Sequence, residues 1–167
     1  MGNSESTTAT IVSIWGDKER EINVSDTRVD IVEIRTNRRS ELFSIGIVRP
    51  IKGRAQAKLT IRNLKEKGLA FEETFDVRAN FLEERCIFNL PRKVLLQPGY
   101  VYEVKVIYEG APCYTYSEMN PKIKLDDDYE VLLRRNLDDS RNSNQYRLQN
   151  MITDIGCSLA EKGRECC

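Results

Sequence analysis

The chain has no histidine among its 167 residues. Without imidazole, Ser–His–Asp and Cys–His arrangements are excluded, as is every metal site that depends on histidine. Acid–base work near neutral pH would fall to a shifted carboxylate, lysine or cysteine. No nucleophile–base pair identifies itself, so we expect no catalytic residue, no metal and no cofactor. Long apolar runs are missing too, since none approaches the roughly 20 residues of a transmembrane helix. The opening Met1-Gly2-Asn3-Ser4 lacks the basic start and apolar middle of a secretory signal. Net charge is absent: 26 basic residues balance 26 acidic ones, so nothing pulls the whole chain toward nucleic acid or anionic membrane. Cysteine is scarce and forms no CxxC pair. The five thiols, Cys86, Cys113, Cys157, Cys166 and Cys167, read as reduced in a cytoplasmic protein. Cys86 and Cys157 sit among apolar residues and read as small core side chains.

What the chain does contain is period-two alternation, repeated along its length. Ala57, Leu59 and Ile61 alternate with Gln56, Lys58, Thr60 and Arg62. Phe71, Phe75 and Val77 share a side with Glu73, an acid on an otherwise apolar face. Cys86, Phe88 and Leu90 form a third inward set. Tyr100, Tyr102, Val104, Val106 and Tyr108 form the clearest, opposite Glu103 and Lys105. A helix would scatter these β-branched and aromatic residues around its circumference. Further strands are predicted near Ile11–Trp15, Val29–Thr36, Glu41–Val48, Tyr129–Arg134 and Tyr146–Ile155. Turn chemistry divides them: Arg49–Gly53, Lys65–Gly68, Glu109–Pro112, and Gln97-Pro98-Gly99, which fits a type II turn. Short strands so punctuated predict an all-β fold, an antiparallel sandwich of Greek-key type in one domain. Residues 1–9 are expected to be a flexible arm, 10–157 the sandwich and 158–167 a flexible tail.

Several of these segments resemble one family. Phe43-Ser44-Ile45-Gly46-Ile47 resembles the strand-and-glycine segment near the start of PHR domains, named from the Pam/Highwire/RPM-1 ubiquitin ligases and found also in BTB-containing adaptors. Val94 to Tyr102, with Gln97-Pro98-Gly99 at its centre, is similar to the family's run of hydrophobics, turn and aromatic before a long strand. Tyr108-Glu109-Gly110 with Tyr114–Ser117, and Asn150–Ile155, are similar to later segments. The likeness spans Val29 to Ile155. It departs at Val48–Arg54, which is more basic and less glycine-rich than the family's loop, and no BTB or RING region accompanies it. The resemblance implies a β-sandwich that recognises a protein ligand, a substrate or adaptor in ubiquitin ligation, without a ligase-recruiting part of its own.

Candidate binding residues follow. Loops Val48–Arg54 and Glu109–Ser117 are expected at one end, with Arg49, Lys52, Arg54, Tyr114 and Tyr116 as ligand-binding side chains, because aromatic and arginine anchors dominate such interfaces. The run Arg35-Thr36-Asn37-Arg38-Arg39 is expected near the same end, either as guanidinium forks that suit a carboxylate or phosphate or as a solvated loop screened by Glu33 and Glu41. No aromatics interleave with these arginines, so nucleic acid is not an expected partner. Met1–Ser6 fits the M-G-x-x-x-[ST] pattern, making Gly2 a myristoylation candidate. One such chain binds membranes only on the order of 10⁴ M⁻¹, and Cys166 and Cys167 are the candidate second lipid sites. Asp126-Asp127-Asp128 offers the clustered oxygens that calcium takes, but its spacing is not that of an EF-hand loop, and adjacent Asp residues at a strand start point to water. Together with Gly2 it frames the alternative reading, a C2-like or lipid-anchored peripheral membrane module.

Overall fold

The computed structural model describes residues 10–14, 20–24, 27–116, 119–135 and 150–160. Twelve strands and no helix occur among them: β1 (Thr10–Ser13), β2 (Arg20–Asn23), β3 (Thr27–Thr36), β4 (Ser40–Val48), β5 (Arg54–Asn63), β6 (Gly68–Arg78), β7 (Arg85–Leu96), β8 (Tyr102–Gly110), β9 (Cys113–Tyr116), β10 (Lys122–Asp126), β11 (Tyr129–Arg135) and β12 (Ile152–Leu159). They form an antiparallel sandwich. One sheet runs β10-β11-β3-β8-β5-β6, the other β1-β12-β4-β7, and β2 pairs with β9 alone. The pairing is nested: β3 with β8, β4 with β7, β5 with β6, while β8 also lies against β5. Such nesting is that of a folded ribbon wrapped across two sheets, as in Greek-key and jelly-roll sandwiches.

The core forms where the alternating sets meet. Tyr102, Val104, Val106 and Tyr108 of β8 and Ala57, Leu59 and Ile61 of β5 are buried against Leu42, Ile45, Ile47 and Ile155 of the facing sheet. Tyr100, predicted to begin this set, instead stands in the turn before β8, with the Lys65 ammonium over its ring at 4.9 Å. The preceding turn has the expected form: Tyr100 N–H donates to the Gln97 carbonyl at 3.2 Å, and Gly99 takes φ +83°, a value the second central position of a type II turn requires. Between β5 and β6, the Asn63 carboxamide accepts from the amides of Lys65 and Glu66. Cys157 is buried and Cys86 half-buried against the core, both as free thiols.

Edges explain the odd acid of β6. Glu73 stands opposite Leu59 on the inward side yet is exposed, because β6 is the last strand of its sheet. A charge turned inward on an edge strand discourages pairing with another chain, as do Pro91 and Lys93 on edge strand β7 and Lys122 and Lys124 on edge strand β10. At the C-terminal side, β12 continues to Leu159, which pairs with Ser40, and Ala160 N–H reaches the Arg39 carbonyl at 3.0 Å. Strand β12 thus runs past residue 157 to Leu159. Strands β2 and β9, four residues each, and β10, where Ile123 and Leu125 alternate with Lys122, Lys124 and Asp126, are not among the predicted strands. The predicted strand residues Trp15 and 146–149, together with Gly2, Cys166 and Cys167, lie outside the described residues.

Candidate binding surface

Strand direction sorts the loops into two groups. At one end lie the β3–β4 turn, the β5–β6 turn and Gln97–Gly99. At the other lie residues 49–53 between β4 and β5, residues 79–84 between β6 and β7, and residues 111–112 between β8 and β9. The expected partnership of Val48–Arg54 with Glu109–Ser117 is met directly: Ile51 N–H donates to the Pro112 carbonyl at 2.8 Å, Ala111 N–H to the Arg54 carbonyl at 3.2 Å, and Pro50 bridges Cys113.

A third loop, residues 79–84, joins them. Arg49 N–H donates to the Glu84 carbonyl at 2.8 Å, and Ala79 N–H to the Gly53 carbonyl at 2.9 Å. The Arg49 guanidinium then ties the loop's two ends together, donating to the carbonyls of Arg78 at 2.9 Å and Arg85 at 3.2 Å. Within the loop, Glu83 N–H returns to the Asn80 carbonyl, and Leu82 N–H donates to the Asn80 side chain at 2.9 Å. This is a β-turn initiated by an asparagine that bonds its own backbone two residues on. Its two central positions, which must project, are Phe81 and Leu82.

Those two side chains are 98% and 83% exposed, and Val24 at 70% and Ile22 at 58% come next among the exposed large apolar residues. All four stand at this end. Ile22 lies directly opposite Tyr114 in the β2–β9 pair, and Tyr114 lines a cavity of about 280 Å³ with Arg49, Pro50, Ile51, Phe81 and Glu84. Leaving Phe81 and Leu82 in water forgoes about 1.5–3 kcal/mol of burial each. The hydrogen-bonded turn displays both side chains to solvent.

The floor of this end is polar and buried. Arg28, directly opposite Tyr108 and facing the core, donates to the carbonyls of Asn23 (2.9 Å), Gly110 (2.9 Å) and Ala111 (3.0 Å) and stands 3.6 Å from the Cys113 sulfur. It thereby fixes β2 and the 111–112 loop to the core. Burial pushes the Cys113 thiol up to about 11, against the opposing pull of Arg28, so this cysteine is no thiolate nucleophile at neutral pH.

The candidate residues separate accordingly. Arg49 and Tyr114 line the cavity; Lys52 and Arg54 are exposed beside it. Tyr116 is not a surface anchor: its ring is buried, and its hydroxyl donates a short hydrogen bond to Glu84. The basic run Arg35–Arg39 belongs to the opposite end, since β3 and β4 each cross the whole sandwich between it and Arg49. There Arg38 pairs with Asp128 at 2.9 Å, and Asn37 bonds the Asp128 carbonyl. Asp126–Asp128 therefore stands far from the apolar end. No group of three potential metal-ligating side chains occurs among the described residues. Nor is any helix among them long and apolar enough to cross a membrane. No family model matches the chain, and no curated protein matches it.

Proposed function

We propose that the chain is a non-enzymatic recognition module that holds a protein ligand at the end of the sandwich formed by residues 49–54, 79–84 and 109–114. The observation that carries this reading is the display of Phe81 and Leu82 on a hydrogen-bonded turn, beside a cavity walled by Tyr114, Ile51 and Arg49. Apolar and aromatic anchors around one arginine are the composition of interface centres. Because the turn is already ordered by Asn80 and Arg49, little conformational entropy is lost on docking. The resemblance to PHR domains agrees with this use of end loops and supplies a context, recognition of a substrate or adaptor in ubiquitin ligation within the cytoplasm. The C2-like alternative would instead use the Asp126–Asp128 loop, at the end of the sandwich opposite Phe81, together with a lipid on Gly2.

Proximity labelling in cells with wild type, Phe81→Ser/Leu82→Ser and a control, Leu132→Ser, tests the proposal. The paired variant is expected to lose the proteins enriched by wild type while the control keeps them. An unchanged set would remove this surface from consideration.

A further inference from the structure

Arg54 and Arg78 stand directly opposite each other across the β5–β6 pair, at the foot of the two loops that wall the cavity. Directly opposed residues of an antiparallel pair project from the same face, with like charges at that spacing repelling one another. Both side chains are exposed, and among the described residues neither has an ion-pair partner; the same holds for Lys52. Asp76 and Glu109 share that face and accept from the neutral donors Gln56 and Thr27, at 3.5 and 3.4 Å, without pairing with either arginine. Other basic side chains do meet carboxylates, as Lys58 meets Glu72 at 3.0 Å and Arg134 meets Glu33 at 3.0 Å, but what sets Arg54 and Arg78 apart is that they face each other across a strand pair. Two exposed guanidiniums side by side, neither paired with a carboxylate, complement a carboxylate or phosphoryl group.

We infer that the ligand is a polypeptide segment bearing an apolar side chain, seated against Phe81, Ile51 and Tyr114, and a nearby acidic or phosphorylated side chain, held by Arg54 and Arg78. This rests on the protein-binding reading above and specifies its partner's chemistry. Selectivity comes from the anion, since the apolar contact alone discriminates weakly, while rejection of a lysine at the same place follows from repulsion.

The test uses the full chain and short immobilised synthetic peptides carrying Phe or Leu, with Glu, phosphoserine or Lys placed at varied distances. Wild type is expected to retain the Glu or phosphoserine peptides at least about tenfold better than their Lys counterparts, and the relative strength of the two arms tells carboxylate from phosphate. Arg54→Gln/Arg78→Gln, which leaves intact the Arg78 carbonyl used by Arg49, should lose that preference and keep the apolar requirement. Phe81→Ser should lose both. Retention indifferent to charge, or a preference surviving the double arginine variant, overturns the inference and leaves protein binding standing. Failure of every peptide, with Phe81-dependent flotation on phosphatidylcholine–phosphatidylserine vesicles, overturns both in favour of a lipid surface. Failure of every peptide without flotation overturns the inference alone.

Discussion

The Arg28 guanidinium lies 4.7 Å from the centre of the Tyr108 ring, and both side chains are buried where the core meets the candidate binding end. A buried cation over an aromatic face, donating to three carbonyls, joins the long strand β8 to β2 and to the 111–112 loop. The loop's position is thus set from below.

Replacing Arg28 with Met keeps much of the volume but strands the carbonyls of Asn23, Gly110 and Ala111. Each stranded group costs about 1–3 kcal/mol if it stays dry, and the lost cation–π contact about 2 more. We expect a loss of at least about 3 kcal/mol in urea unfolding. Hydrogen exchange should quicken at the Ala111 amide before it does at the centre of β5. Arg28→Lys should recover part of the stability, since a single nitrogen cannot occupy both positions from which Nη1 reaches Asn23 and Nη2 reaches Gly110 and Ala111.

The two tyrosines of β9 should respond oppositely. Tyr116→Phe removes the hydroxyl bonded to Glu84 inside the end of the sandwich, and stability is expected to fall by about 1–2 kcal/mol. Tyr114→Ala should alter stability less and weaken ligand capture more. Phe81→Ser should leave the unfolding midpoint within the range of about ±0.5 kcal/mol usual for surface changes. Thermal unfolding of the three variants, set beside their binding, checks the division.

Gly110 has φ +127°, and a Cβ placed there would come within 2.8 Å of the Ala55 backbone. Alanine must therefore adopt a glycine-only conformation and push β8 away from β5. A loss on the order of 2–4 kcal/mol is expected, measured by denaturant unfolding. Ligand capture should weaken as well, since Gly110 leads into the loop.

Alkali should unfold the protein through its buried thiols. Burial pushes Cys157 up to about 12 and Cys113 up to about 11, from an ordinary thiol value of 9.0. Above that ordinary value the unfolded chain has released these protons while the folded chain still holds them, so stability falls as pH rises. It is complete below about pH 9 and declines progressively from there toward pH 11–12. Cys157→Ala should lower stability at neutral pH by leaving a cavity, yet flatten the alkaline decline. Denaturation midpoints across this pH range give the answer.

Much of the sandwich is legible in the chain. The alternating sets of β5 and β8 place Leu59, Val104 and Val106 inside without reference to any partner, and Pro98-Gly99 marks its turn by backbone preference alone. Strand β3 is less transparent. It is buried on both faces, so alternation carries no signal there, and its inward row includes Arg28 and Asp30. Asp30 accepts from the amides of Met151 and Ile152 and lies 3.5 Å from Arg135, contacts more than a hundred residues away along the chain. Burial raises its carboxyl pKa, with Arg135 and the two amides opposing. Nothing local marks either charge as internal.

The candidate site divides in the same way. Arg49 and Tyr114 could be named because loops flanking predicted strands carry arginine and tyrosine; Phe81 and Leu82 could not, since two apolar residues in a turn resemble the edge of a core.

The order of side chains alone determined that this is an all-β chain, because period-two alternation and turn residues act over a few neighbours. Only the tertiary structure decided which loops share an end, that Arg35–Arg39 is remote from Arg49, and that Arg54 faces Arg78. Those facts depend on strand direction and register, which are settled by how two whole sheets bury their faces against each other.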